Sequence, residues 1–204
     1  MKRLIRVVVG ITFCMVQPLY AMQLTAVGAG GQSGAIFNPS TGFTSSSQSY
    51  QYGGGLLLGF KMVPALMTEL GLLYLPRGFV QTFTGANPIE TTFTTVQFPL
   101  LLRYSLVPSF SIGLGMYFSH GFGFVYGVDV TAPGTVNTQN YGASYAADDY
   151  GAVLSVALKM SLLPFLGLTV DGRYMTGLVN MSKISGLTTF LNDFQLMAGI
   201  QFGR

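Results

Sequence analysis

Charged residues are scarce in this chain. They make up 8% of its 204 residues, against about 25% in an ordinary soluble domain. Tryptophan is absent, there is one cysteine, and the only long apolar stretch, Leu4–Val16, falls short of the roughly 18 residues that a transmembrane helix needs. These shortages argue against an ordinary soluble domain, a disulfide framework and a bundle of membrane helices. Half of the residues are nevertheless hydrophobic, which excludes a disordered chain.

The first 21 residues have the layout of a secretory signal peptide. Lysine and arginine occupy three of the first six positions, an apolar stretch follows, and the segment closes at Ala21. We therefore expect residues 1–21 to be cleaved, leaving residues 22–204 as one domain without Cys14. Cleavage also leaves seven basic and seven acidic residues, so the nucleic-acid binding that clustered Lys and Arg would support is not expected.

Three short proline turns divide the remaining chain into hairpins: Met62–Ala65, Leu106–Ser109 and Leu162–Phe165. Each turn lies between two runs of about ten residues, the length of a tilted membrane strand. Short turns at one end and long Ser/Thr/Asn/Gly-rich loops at the other are typical of an outer-membrane barrel. We predict eight strands near 23–33, 51–62, 66–77, 93–105, 110–120, 149–161, 166–177 and 192–203, with long loops at about 34–50, 78–92, 121–148 and 178–191.

Alternating side chains within the strands support a membrane barrel. In the sixth strand the even-numbered residues 150–160 are apolar or aromatic, whereas the odd-numbered residues 151–161 are mostly Gly, Ser, Ala or Lys. A soluble β-sandwich would also alternate, but its polar face would carry many Lys and Glu residues. Aromatic residues close the apolar faces and predict two interfacial girdles: Tyr52, Tyr74, Phe118, Tyr150, Tyr174 and Phe194 near the long loops, and Phe60, Tyr104 and Phe202 near the short turns.

Two segments carry a family resemblance. The segment Glu69–Tyr74, followed by Arg77–Gly78, and the segment Phe98–Tyr104, with its Pro-Leu-Leu-x-basic-Tyr pattern, resemble two strands of the outer-membrane β-barrel domain family that includes PorT-like proteins. The resemblance implies an exported eight-stranded barrel in the outer membrane of a Gram-negative bacterium, and little about activity. It also implies that Pro99, which removes one ladder hydrogen bond and predicts a local bulge, is a family feature.

The inward faces of the predicted strands carry most of the strand charges, in the half nearest the short turns. Because buried charges must be paired, we predict an ion-pair cluster that fills the lumen, with Lys159 and Asp171 meeting diagonally across their hairpin. A proton or ion path through the same groups is the alternative. The predicted members of the cluster are Lys61, Glu69, Arg103, Lys159, Asp171 and Arg173.

No pattern of catalytic, cofactor-binding or metal-binding residues is found, and the chain is predicted not to be an enzyme. His120 is the only histidine, but its neighbour Ser119 points to the other face of a strand, so the two cannot easily form a nucleophile–base pair. The glycine-rich segments precede neither a helix pattern nor a lysine, which excludes a phosphate loop. Asp148 and Asp149 are interpreted as a solvated loop pair.

The long loops are the expected working surfaces. The third loop offers five aromatic candidates for partner contacts: Phe122, Phe124, Tyr126, Tyr141 and Tyr145. We therefore predict a structural or interaction protein of the outer membrane, with outer-membrane lipid and the barrel assembly machinery as partners and an envelope or extracellular protein as a candidate partner, for example in a secretion or envelope assembly. Two other functions stay open: a transporter of small hydrophobic molecules, and a lipid hydrolase that uses His120.

Overall fold

The computed structural model describes residues 22–38, 43–83, 88–129, 139–140 and 144–203. The predicted signal peptide, residues 1–21, lies outside this part and stays a prediction. Within it, no helix is long and apolar enough to cross a bilayer. The described strands are β1 Met22–Asn38, β2 Phe43–Val63, β3 Leu66–Tyr74, β4 Arg77–Phe83, β5 Ile89–Val107, β6 Phe110–Asp129, β7 Gln139–Asn140, β8 Asp148–Leu163, β9 Leu166–Gly177 and β10 Thr188–Gly203.

The strands close into an antiparallel ring. β1 pairs with both β2 and β10, and β10, β9, β8, β6 and β5 follow one another around the ring. β3 and β4 lie end to end between β2 and β5, so together they fill one position, and the two-residue β7 only extends β6. The predicted eight-stranded antiparallel barrel is confirmed.

Several strands extend further toward the long-loop end than the sequence predicted. β2 begins at Phe43, β5 at Ile89, and β6 continues to Asp129. Parts of the predicted loops 34–50, 78–92 and 121–148 are therefore paired strand. The Thr and Phe residues of these segments favour extended structure. The polar, weakly charged composition of the segments is compatible with a strand as well as with a loop.

Both prolines that fall inside predicted strands are accommodated without a bulge. Pro76 lies in the break between β3 and β4, where Thr95 Oγ1 still donates a 2.7 Å hydrogen bond to the carbonyl of Leu75. Pro99 lies opposite Gly71, and the β3–β5 register is the same on either side of it. The predicted bulge at Pro99 is therefore wrong. A Cβ on Gly71 would lie 2.6 Å from Pro99 Cγ, so glycine leaves the space that the proline ring fills.

Each of the three proline turns is preceded by a β-bulge. In the first hairpin Lys61 pairs with Met67 but Val63 pairs with Leu66, which leaves one unpaired residue between Lys61 and Val63. The second and third hairpins repeat this irregularity between residues 105 and 107 and between residues 161 and 163. The three hairpins thus share one design at the short-turn rim, where bulges are common in barrels.

The outer face of the barrel is apolar and exposed, and the inner face is buried. On β5, Leu100 and Leu102 are 48% and 49% exposed, whereas Leu101 between them is fully buried. The same alternation runs along the other strands, so inward-pointing side chains carry odd residue numbers throughout the barrel. An exposed apolar band around the ring is the surface that lipid covers.

Candidate functional site

The inward-facing charges form two separate buried networks. The lower network, in the half nearest the short turns, contains four of the six predicted residues: Glu69, Arg103, Asp171 and Arg173. Arg103 Nε donates to Glu69 Oε2 at 2.6 Å and its Nη2 donates to Asp171. Arg173 Nη2 donates to Glu69 Oε1 at 2.5 Å and to Asp171 Oδ2 at 2.9 Å. Each guanidinium therefore bridges both carboxylates.

The lower network joins strands from opposite sides of the barrel. Glu69 lies on β3 and Arg103 on the neighbouring β5, whereas Asp171 and Arg173 lie on β9. Ser155 of β8 adds a 2.5 Å hydrogen bond to Asp171 Oδ1. Two carboxylates balance two guanidinium groups, which is what makes such a buried set tolerable, because an unpaired ion in this environment is costly.

The two predicted lysines lie outside this network. Lys61 is exposed and Lys159 is half-buried, and neither forms a salt bridge with a carboxylate among the described residues. The predicted diagonal contact between Lys159 and Asp171 is not formed. Asp171 instead accepts from the two arginines and Ser155, which bring more donors to its oxygens than one ammonium group would.

An upper network, which the sequence did not predict, lies nearer the long loops. Arg77 Nη1 donates to Asp149 Oδ2 at 2.5 Å, and Arg77 Nε lies 2.6 Å from Asp193 Oδ2. The Tyr117 hydroxyl donates to Asp149 at 2.6 Å and accepts from Arg77 at 3.2 Å. The interpretation of Asp148 and Asp149 as a solvated pair is wrong for Asp149, which is 1% exposed. Its odd number, shared with the inward residues of β8, was the signal for this position.

Uncharged layers fill the lumen between and above the networks. Between them lie two apolar clusters, and Gln195 Nε2 donates to Gln97 Oε1 at 3.0 Å across the barrel. Above the upper network an aromatic cluster closes the long-loop end around Phe79, Phe93 and Tyr145, whose ring centroids are 5.5 to 5.8 Å apart. Side chains therefore occupy the lumen in successive layers.

The predicted loop contacts have different fates. Tyr145 is 5% exposed and packs in the aromatic cluster, so it is not a surface contact, because its ring finds apolar partners beneath it. Phe122 is 53% exposed and its ring meets His120 edge-on at 5.0 Å. Phe124 and Tyr126 belong to β6, with side chains outside the described part, and Tyr141 lies outside the described residues altogether.

All nine predicted girdle residues point outward. Their exposed fractions run from 40% for Phe60 to 75% for Tyr52. Phe118, one of the nine, stacks on Phe98 on the outer surface, with the ring centroids 6.2 Å apart. Outward-facing aromatic rings near the two ends of the strands are typical of the boundary between lipid and water.

His120 lies on the outer face, where its Nδ1 is 2.5 Å from Asp148 Oδ1. Ser119 is buried on the inner face, opposite Asp149, so the strand separates this hydroxyl from the imidazole. The predicted separation of Ser119 from His120 is present. Among the described residues, no three His, Cys, Asp or Glu side chains are arranged to hold a metal ion.

Comparisons with known proteins agree with the barrel geometry. The sequence matches the outer membrane protein beta-barrel domain over residues 4–183. No curated protein sequence matches it. Among solved structures, OprG from Pseudomonas aeruginosa is similar with a TM-score of 0.55 at 12% identity, over 89% of this chain and 95% of OprG.

Two further similar structures are more distant. Neisserial surface protein A has a TM-score of 0.49 at 10% identity, with 90% of this chain and 97% of that chain covered. Ail of Yersinia pestis, solved with the heparin analogue sucrose octasulfate, has a TM-score of 0.46 at 12% identity, with 88% and 99% covered.

Proposed function

The chain belongs to the outer membrane protein beta-barrel domain family, and from this premise we propose that it is a non-conducting barrel that acts as an interaction protein through its long-loop end. It is a small barrel of the Gram-negative outer membrane. The observation that carries the proposal is the pair of buried ionic networks that cross the lumen. Eight strands leave an interior just wide enough for side chains, and here those side chains are bonded to one another across it.

A closed lumen leaves the long-loop end as the working surface. Strands β1, β2, β5 and β6 have 17, 21, 19 and 20 residues, well above the 9–11 that a tilted strand needs to cross a bilayer. The extra length continues the sheet beyond the upper girdle, and we call this extension the platform. Exposed apolar side chains lie on this platform. Phe122 is 53% exposed and lies four residues beyond the girdle residue Phe118 on β6. Ile36 is 56% exposed and lies four residues beyond Gln32, which pairs with the girdle residue Phe194.

The layers of the lumen also separate this proposal from transport of small hydrophobic molecules. Such a transporter needs a continuous apolar tunnel, whereas the apolar clusters here lie between two networks of fully desolvated ions. A hydrophobic solute would have to displace Arg77 or the Arg103–Arg173 pair from their carboxylates. The proposed function is likewise non-enzymatic: the wild-type barrel and its His120→Ala variant are both expected to show lipid hydrolysis at background, and wild-type hydrolysis that His120→Ala abolishes would contradict this.

The closed lumen is tested by reconstituting the folded barrel into planar lipid bilayers. We expect no stepwise conductance above the protein-free membrane. Unit conductances that scale with the amount of folded protein would contradict the proposal.

The platform is tested by crosslinking on intact cells that express the barrel. Partners captured by the wild type are expected to be lost from the Ile36→Ser/Phe122→Ser variant and retained by Val107→Ser, a matched apolar substitution at the short-turn end, where Val107 is 51% exposed. Equal capture by both variants would remove the platform from the proposed function.

A further inference from the structure

The opposite end of the barrel, at the short turns, opens into a cavity of about 570 Å³. We call it the vestibule. Inward-facing polar residues of five strands line its wall, and apolar residues of the three turns form its rim. The polar lining residues are Gln23, Lys61, Ser105, Lys159, Ser161 and Gln201. In outer-membrane barrels the short turns face the periplasm, so the vestibule is reached from that compartment.

Among the described residues, the vestibule has an excess of positive charge that no carboxylate neutralises. The short-turn half of the lumen holds four cations and two carboxylates, Glu69 and Asp171, and both carboxylates are bonded to arginines. The other five acidic residues of the chain lie at the long-loop half: Glu90, Asp129, Asp148, Asp149 and Asp193. In the described part of the barrel, Lys61 and Lys159 therefore have no carboxylate at their own level.

The two ammonium groups also repel each other across the cavity. Arg103 beneath them repels Lys159 as well, and the attraction of Glu69 and Asp171 in the lower network offsets this repulsion in part. An anion held between the lysines would relieve this repulsion. The Ser105 and Ser161 hydroxyls and the Gln23 and Gln201 amides, which line the same wall, are hydrogen-bond donors of the type that completes an oxyanion site.

From this arrangement we propose that the vestibule binds a small soluble periplasmic molecule through a phosphate or carboxylate group held between Lys61 and Lys159. The site lies inside the ring of strands, which favours a soluble anion over a lipid headgroup that would have to leave its leaflet. The inference does not depend on the platform function, because it concerns the opposite end of the barrel.

The test uses pyrophosphate and succinate as probes, titrated into the folded barrel in a neutral maltoside detergent that carries no phosphate. Binding of either probe by calorimetry, weakened by added salt, is expected, and the probe that binds identifies the anion chemistry. Loss of one charge-assisted contact in Lys61→Gln or Lys159→Gln is expected to weaken binding about tenfold. Lys159→Arg keeps the charge and is expected to retain binding.

Chemical labelling supplies an internal control. Besides Lys61 and Lys159, residues 22–204 contain one further lysine, Lys183, in the connection before β10 at the long-loop end. The bound probe is expected to protect Lys61 and Lys159 from acetylation and to leave the labelling of Lys183 unchanged. Failure of both probes to bind wild-type protein, or unchanged binding by a folded Lys61→Gln/Lys159→Gln variant, would overturn the site. Heat-modifiable gel mobility establishes that each variant is folded.

Discussion

Replacing Arg103 with methionine tests whether the lower network holds the two sides of the barrel together. Arg103 donates to Glu69 at 2.6 and 3.1 Å and to Asp171. Without it, Arg173 alone faces two buried carboxylates, and one negative charge is left uncompensated. Breaking a buried ion pair in this way costs about 3–5 kcal/mol, so Arg103→Met is expected to lower the free energy of unfolding by that amount.

A double-mutant cycle tests whether the loss of stability in Arg103→Met comes from its contacts within the lower network. Glu69→Gln alone leaves one positive charge without a balancing carboxylate and is also expected to cost about 3–5 kcal/mol. The double variant Arg103→Met/Glu69→Gln keeps the balanced Arg173–Asp171 pair, so it should be less destabilised than the sum of the single variants by about 2–3 kcal/mol.

Urea titration of the refolded barrel in lipid vesicles measures these values. The chain has no tryptophan, so the folded fraction is read from heat-modifiable gel mobility. Asp148→Asn is the control, because its contact with His120 is on the exposed surface and should contribute less than about 1 kcal/mol. The reasoning fails if Arg103→Met stays within about 1 kcal/mol of the wild type, or if the double variant loses the full sum.

Three further predictions concern other layers of the barrel and use the same unfolding assay. Tyr117→Phe removes the donor to Asp149 and is expected to cost about 1.5–3 kcal/mol; a neutral result would mean that the hydroxyl is not needed in the upper network. Gly71→Ala brings a Cβ against the Pro99 ring and Leu57 Cδ2 and is expected to cost about 1–3 kcal/mol, and Pro99→Ala should restore the part that is due to the ring; a loss with no rescue would refute the steric explanation. Phe79→Ala opens a cavity in the aromatic cluster and should cost about 3–5 kcal/mol, whereas a loss below about 1 kcal/mol would show that the cluster is loosely packed.

The sequence predicted the barrel well because apolar and small or polar side chains must alternate along a membrane strand, and because the sheet must close into a ring. The alternation assigned Glu69, Arg103, Asp171 and Arg173 to one face, and the barrel radius brings that face together. The sequence could not predict which of the six inward charges would pair. Pairing depends on the length of each side chain and on its position along the barrel axis: the arginines reach across the lumen, whereas the lysines line the cavity at the short-turn end.

The upper network was missed for a different physical reason. The predicted strand 66–77 ends at Arg77, and the prediction gives this arginine no partner, although the strand position continues through β4. Asp149 is the first residue of the predicted strand 149–161, but it is interpreted there as half of a solvated pair because acidic residues are seldom buried. Both residues have the odd number of the inward face, and applying the alternation to the ends of their strands places them in the lumen.

The repeated bulges at the short-turn rim show what determines which residues lie opposite each other in each hairpin. Without the bulge, the Pro64–Ala65 turn would pair Lys61 with Thr68, which would match the inner face of one strand to the outer face of the next. The unpaired residue, Met62 in the first hairpin, absorbs this offset. The alternation of the two strands therefore dictates their alignment and the turn only adapts. A chain shortened by deletion of Met62 should keep every strand face where it is, because its turn and its strands would already be in phase.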